Sequence, residues 1–212
     1  RVLFRSGAGS QALFYRQEEI REIVQYASLR GIRVVPEFDI PGHTTSWFVG
    51  YPELASQPGP YRLMQGEGIF DAVFDPSRAQ SYEFLDTLFA EISTLFKDEY
   101  VHIGGDEVES GPWKHSPSIQ SFMKTNALRD EHDLQAYFES KVQAILAKHG
   151  KKVVGWEEIW HPQLASSAVV QSWSSSSSLV TTLRSGRAGL LSFGYYLDQI
   201  DRKSTRLNSS HI

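Results

Sequence analysis

The chain has 212 residues, 41% of them hydrophobic and 22% charged, with a net charge of -4. That is enough for one domain with a sizeable core, and neither an excess of basic residues nor a long apolar run points to nucleic acid or a membrane span. With no cysteine anywhere, disulfides, thiolate nucleophiles and cysteine metal ligands are excluded.

In chain order, the ends come first. Residues 1–6 and 201–212 resemble in-frame translations of a common sequencing adapter read on opposite strands, so both are set aside. On this reading, 7–200 is an internal fragment of a longer gene. A helix is predicted over 17–30, where Ile20, Ile23, Val24 and Ala27 share one face and Gly31 follows as a stop. The run 33–39 reads as a strand ending in Glu37 and Asp39. The stretch 40–74, with prolines at 41, 52, 58 and 60, reads as a long irregular loop, and such loops in a compact domain are usually functional. Asp75-Pro76 opens a predicted helix over 76–97.

The run 100–107, Tyr-Val-His-Ile-Gly-Gly-Asp-Glu, is the most informative. An apolar strand that ends in two adjacent carboxylates carries a repulsion that needs a reason. Either it delivers acid/base chemistry to the rim of a sheet, or the pair caps a helix after a turn. Beyond it lie a helix over 133–149, a strand over 153–158 ending in Trp156-Glu157-Glu158, a strand over 169–173 ending in Trp173, and a serine run at 174–178 read as a loop without chemistry. A short helix over 179–184 and a last strand over 190–198 carrying Tyr196 and Asp198 complete the chain.

Five continuous apolar runs alternating with helices predict an α/β fold with a parallel sheet. The polar residues gather at the C-terminal ends of successive strands. That favours part of a (β/α)8 barrel, with about five of its eight strands, over a doubly wound sheet, which concentrates its ligand at one switch point. Carboxylates, tryptophans and tyrosines around one mouth suit carbohydrate. Two carboxylates adjacent on one strand can hardly straddle a scissile bond as a conventional glycosidase pair does, so a nucleophile borne by the substrate becomes attractive.

Five patterns resemble the glycoside hydrolase family 20 β-N-acetylhexosaminidases, over nearly all of 7–200. They are Pro36-Glu37-x-Asp39-x-Pro41-Gly42-His43, His102-x-Gly104-Gly105-Asp106-Glu107, Gly155-Trp156-x-Glu158, Gln171-x-Trp173 and Tyr196-x-Asp198. The resemblance implies a retaining exo-hydrolase of terminal β-linked N-acetylglucosamine or N-acetylgalactosamine that needs no cofactor or metal. It acts on N-acetylhexosamine-containing oligosaccharides or glycoconjugates, in a secreted, periplasmic or lysosomal setting. It implies Glu107 as general acid and base, Asp106 as holder of the acetamido N–H, and Tyr196 as donor to the acetamido oxygen. Trp156 and Trp173 become pocket walls, Asp198 a sugar-hydroxyl ligand, and Asp39 and His43 a supporting relay. Trp47 and Trp113 read as structural, His102 as a hydrogen-bonded core histidine, Asp71 and Asp75 as turn and cap residues, and Glu37 and Glu158 as possible supporting groups.

Two other classes stay open. One is a barrel hydrolase with a metal on Asp39, His43, Asp106 and Glu107, and the other is a non-catalytic sugar-binding homologue. An unclosed barrel leaves two strand edges unpaired, so the isolated polypeptide is expected to be inactive or unstable.

Overall fold

The computed structural model describes residues 14–64, 66 and 68–195. Both adapter-like ends, and with them Tyr196 and Asp198, lie outside the described residues. Helix α1 (Gln17–Ser28) leads into an extended segment, then α2 (Thr45–Gly50) and α3 (Ala79–Leu95). Strand β1 (Tyr100–His102) is followed by α4 (Gly111–His115), α5 (Pro117–Thr125) and α6 (Glu131–Lys148). Then come β2 (Lys152–Trp156), β3 (Val169–Ser172), α7 (Ser176–Arg184) and β4 (Ala188–Leu191).

The four strands form one sheet in the order β1-β2-β3-β4, all parallel. Consecutive order without a reversal is how a barrel wall is laid down; a doubly wound sheet reverses at its switch point. The fold is therefore α/β with part of a barrel, as expected.

The run 33–39 contributes less pairing than a full strand. It makes a single parallel bridge, Glu37 to His102, on the free side of β1. There the His102 N–H donates to the Pro36 carbonyl and the Phe38 N–H donates to the His102 carbonyl, both at 2.9 Å. Pro36 has no N–H to extend the ladder backward, and beyond Ile103, whose carbonyl still accepts from the Ile40 N–H at 2.9 Å, the partner chain turns away at Gly104 and Gly105. β4 also departs from the buried pattern. It is the outer strand among the described residues, and Leu190 is 49% exposed.

The core forms where the helix stripes meet the sheet. Leu85, Phe89 and Ile92 of α3 and Phe138, Val142 and Leu146 of α6 pack with Val101, Ile103, Val153 and Val170. The stretch 40–74 is less irregular than its prolines suggest. It contains α2, and Phe48 and Phe74 meet edge to face at 5.4 Å inside the same core. Trp47 joins them at 5.7 Å from Phe74. A satellite cluster forms around the fully buried Trp113, whose indole N–H donates to the Phe74 carbonyl at 2.9 Å. Both tryptophans are structural. Asp75 closes a turn by accepting from the Ser77 N–H at 2.9 Å, and α3 starts three residues later than Pro76.

Candidate active site

Parallel strands bring their C-terminal ends to one rim, and the polar strand ends meet there. The rim is organised by the Gly104–Gly105 turn, which has left-handed backbone at both residues, φ +68° and +99°. A Cβ on Gly104 would overlap the Asp39 carboxylate, and one on Gly105 would overlap the Ile159 side chain. Only glycine allows both the twist and the close approach.

Every polar backbone group of this turn has a partner. Gly104 N–H donates to His102 Nδ1 at 3.1 Å, and its carbonyl accepts from the Trp156 N–H at 2.9 Å. Gly105 N–H donates to Asp39 Oδ1 at 3.1 Å, and its carbonyl accepts from the Gln135 side chain at 2.8 Å. His102 is thus the hydrogen-bonded core histidine expected. Burial holds its pKa down at about 4, so the ring is neutral and its Nδ1 is free to accept.

Beyond the turn, Asp106 and Glu107 diverge around His43. The His43 Nε2 lies 3.3 Å from Glu107 Oε2, 3.8 Å from Asp106 Oδ2 and 3.9 Å from Asp39 Oδ2. Both His43 (φ +52°) and Glu107 (φ +50°) sit in the left-handed region, which costs a non-glycine residue about 1 kcal/mol or more. Two such residues facing each other are a sign of geometry held for function. Asp106 Oδ1 is buried and has no hydrogen-bond partner among the described residues.

The Asp39 carboxyl is displaced far above its usual range. Burial first, and then the neighbouring Asp106 charge, push its pKa up to about 8 from 3.8, against the Gly105 N–H that lowers it. In the unfolded chain Asp39 ionises near pH 4, whereas in the folded protein it keeps its proton to about pH 8. This group therefore subtracts stability progressively as pH rises through that window. Asn at 39 can still accept from the Gly105 N–H and has no charge to bury. Asp39→Asn is expected to melt above the wild type, by a margin that widens between pH 5 and pH 9. A margin that is constant or reversed in thermal melts would rule out a buried, neutral Asp39.

The two expected tryptophans are at the rim, each pinned by a glutamate. Trp156 Nε1 donates to Glu37 Oε1 at 3.1 Å, and its ring stands edge-on to His102 at 4.7 Å. Trp173 Nε1 donates to both oxygens of Glu158 at 3.1 Å. Burial raises the pKa of Glu37 and of Glu158. These two acids hold the two indoles in place.

The serine run differs from the loop read in the sequence. Ser175 caps α7, and Ser176 to Ser178 form its first turn. The hydroxyls of Ser174 and Ser178 donate to the Glu157 carboxylate, which also accepts the Trp173 backbone N–H at 3.2 Å. A segment of low complexity thus anchors the residue that follows β3. Nothing local marked Glu157 as its partner. Gln135 and Glu139 also escaped sequence reading, although two polar residues four apart on a buried helix stripe were a legible sign.

Asp39, His43 and Asp106 could also hold a cation, since one donor atom from each lies within 4.8 Å of the others. Two carboxylates and one imidazole form a plausible donor set for a divalent ion.

A family model described as glycosyl hydrolase family 20, catalytic domain, matches residues 4–211. A β-hexosaminidase of Porphyromonas gingivalis is 41% identical over 168 residues, which is 79% of this chain and 22% of that protein. Among solved structures, a Flavobacterium johnsoniae chitobiase superposes with a TM-score of 0.88 at 42% identity, covering 92% of this chain and 31% of that one. An exo-β-N-acetylglucosaminidase of Vibrio harveyi, solved with N-acetylglucosamine, gives 0.76 at 37% identity over 87% of this chain and 30% of that one. The chain spans between about a fifth and a third of the length of these relatives.

Proposed function

The chain belongs to glycosyl hydrolase family 20, and from that premise we propose that it carries the acid/base centre of a retaining exo-β-N-acetylhexosaminidase whose nucleophile is the substrate's own acetamide. The observation that carries the proposal is the divergence of two adjacent carboxylates. Glu107 lies against His43, whereas Asp106 offers a buried oxygen that has no partner among the described residues. Two equivalent acids would repel to no purpose; two acids in different surroundings can take different roles.

In the first step the acetamido carbonyl oxygen attacks the anomeric carbon, and the glycosidic C–O bond breaks. Glu107 gives its proton to the departing oxygen. Asp106, ionised, accepts the acetamido N–H and balances the positive charge that spreads over the oxazolinium ring. In the second step Glu107, now a carboxylate, takes a proton from water as that water attacks the same carbon and reopens the ring. Two inversions leave the configuration retained. Asp39 and His43 orient Glu107, and Trp156 and Trp173 wall the acetamido methyl. By the family resemblance Tyr196 donates to the acetamido oxygen and Asp198 binds a sugar hydroxyl. The substrate class is an N-acetylhexosamine-containing oligosaccharide or glycoconjugate, which accords with the N-acetylglucosamine bound to the Vibrio harveyi relative.

A second reading, a metal-assisted hydrolase, is favoured by the clustering of Asp39, His43 and Asp106. One experiment separates the two. The full-length protein is assayed on an aryl N-acetyl-β-glucosaminide before and after exhaustive chelation. Undiminished turnover supports the acetamide mechanism. Activity lost to the chelator and restored by a divalent ion supports the metal, and no turnover in either state leaves neither standing.

A further inference from the structure

The Gly104–Gly105 turn aims both proposed acids, yet neither glycine has a side chain with which to hold its own place. On the N–H side Asp39 fastens it. On the carbonyl side the fastening comes from α6, an element the proposed chemistry does not otherwise use. Resting on the function proposed above, we infer that Gln135 is a positioning residue for Asp106 and that Glu139 locks Gln135 in the orientation this requires.

The Gln135 Nε2 carries two N–H bonds, and each has an acceptor. One is the Gly105 carbonyl at 2.8 Å, and the other is Glu139 Oε1 at 2.7 Å, one helical turn along α6. The Gly105 carbonyl and the Asp106 N–H belong to the same peptide plane. Fixing that carbonyl therefore fixes the direction in which the Asp106 side chain leaves the backbone. Were the Gln135 amide to flip, its own oxygen would face the Gly105 carbonyl, acceptor against acceptor. The second acceptor on Glu139 disfavours the flip, because the displaced N–H bonds would then have to leave two buried oxygens.

Both side chains are buried, with Gln135 8% and Glu139 2% exposed. In such surroundings an unpaired carbonyl or amide is costly, so the arrangement is stiff. Burial pushes the Glu139 pKa up to about 8, against the Gln135 hydrogen bond that lowers it, with the Glu158 charge raising it further. At neutral pH Glu139 is thus a neutral carboxylic acid, and glutamine is its close steric match.

The test uses the full-length protein and the aryl N-acetyl-β-glucosaminide, comparing Gln135→Met, Gln135→Leu and Glu139→Gln. Gln135→Met removes both donors. Gln135→Leu removes them with a different apolar shape, so it carries the test if the methionine variant does not fold. Each is expected to lower kcat by roughly a hundredfold, the scale of a reacting group misplaced by about 1 Å. KM should stay nearly unchanged, and the loss should persist when kcat is referred to the folded fraction measured by circular dichroism, because unfolded protein alone lowers the apparent kcat at constant KM. Glu139→Gln, which still offers an oxygen to Gln135, is expected to keep the wild-type kcat. Wild-type kcat in the Gln135 variants, a loss confined to KM, or a Glu139→Gln variant as slow as Gln135→Met would overturn the positioning role alone. A wild-type protein without turnover would overturn the proposed function and this role with it.

Discussion

Glu107→Gln is expected to slow the full-length protein by roughly 10²–10⁴-fold on an unactivated N-acetyl-β-hexosaminide, the usual worth of a positioned general acid. Glutamine keeps the size of the side chain and can still meet His43, which stands 3.3 Å from the carboxylate. It cannot give up a proton. The left-handed backbone at this residue is equally available to Gln, so the loss should not reflect misfolding. The dependence on leaving group is the sharper signature. A nitrophenolate departs with little help, so the first step should suffer less on an activated aryl glycoside than on an alkyl one. In the proposed mechanism the same residue then activates water, so that second step should limit turnover. Kinetics across a leaving-group series check this. A loss of equal size for good and poor leaving groups would take the acid role away from Glu107.

Asp106→Asn is the companion result, with an expected loss of roughly 10²–10³-fold, the scale of removing one preorganised electrostatic partner. The amide matches the carboxylate in shape but lacks the charge that the proposed mechanism sets against the oxazolinium ring. It also carries N–H bonds that can face the acetamido N–H donor to donor. Asp106 Oδ1, which has no partner among the described residues, is the acceptor that the proposed mechanism offers to the acetamide. The loss should appear for leaving groups of every kind, because in the proposed mechanism ring closure precedes or accompanies departure whatever leaves. Steady-state rates of the variant across the same series measure it, and an Asp106→Asn enzyme with wild-type rates would remove Asp106 from the chemistry.

The parts of the site that were legible in the sequence are those written in contiguous residues. A strand that ends in Gly-Gly-Asp-Glu states its own geometry, because two left-handed positions next to a side-chain carboxylate demand glycine. The strand-end tryptophans were legible for a similar reason: the parallel order that alternating strands and helices impose brings residues 39, 106, 156 and 173 to one rim. What the sequence hid are pairings across long separations. Gln135 reaches Gly105 across 30 positions, and Glu157 gathers Ser174 and Ser178 from a segment whose composition suggested only a loop. No periodicity encodes which buried acceptor a side chain will find. The weak pairing of 33–39 was missed because strand propensity says nothing of where the neighbouring chain turns away. Pro36 was the visible warning. The exposure of β4 depends on what lies beside it, which a run of apolar residues does not specify.

The proposed account depends most on the acetamide acting as the nucleophile. The most direct test compares kcat/KM of the full-length wild-type protein on an aryl N-acetyl-β-glucosaminide and on its N-trifluoroacetyl counterpart. Fluorine withdraws electron density from the attacking carbonyl oxygen and leaves the leaving group unchanged. If that oxygen forms the bond to the anomeric carbon, the fluorinated substrate should react more slowly by roughly a hundredfold or more, a barrier difference of about 2.7 kcal/mol. Equal rates on the two substrates would contradict the account.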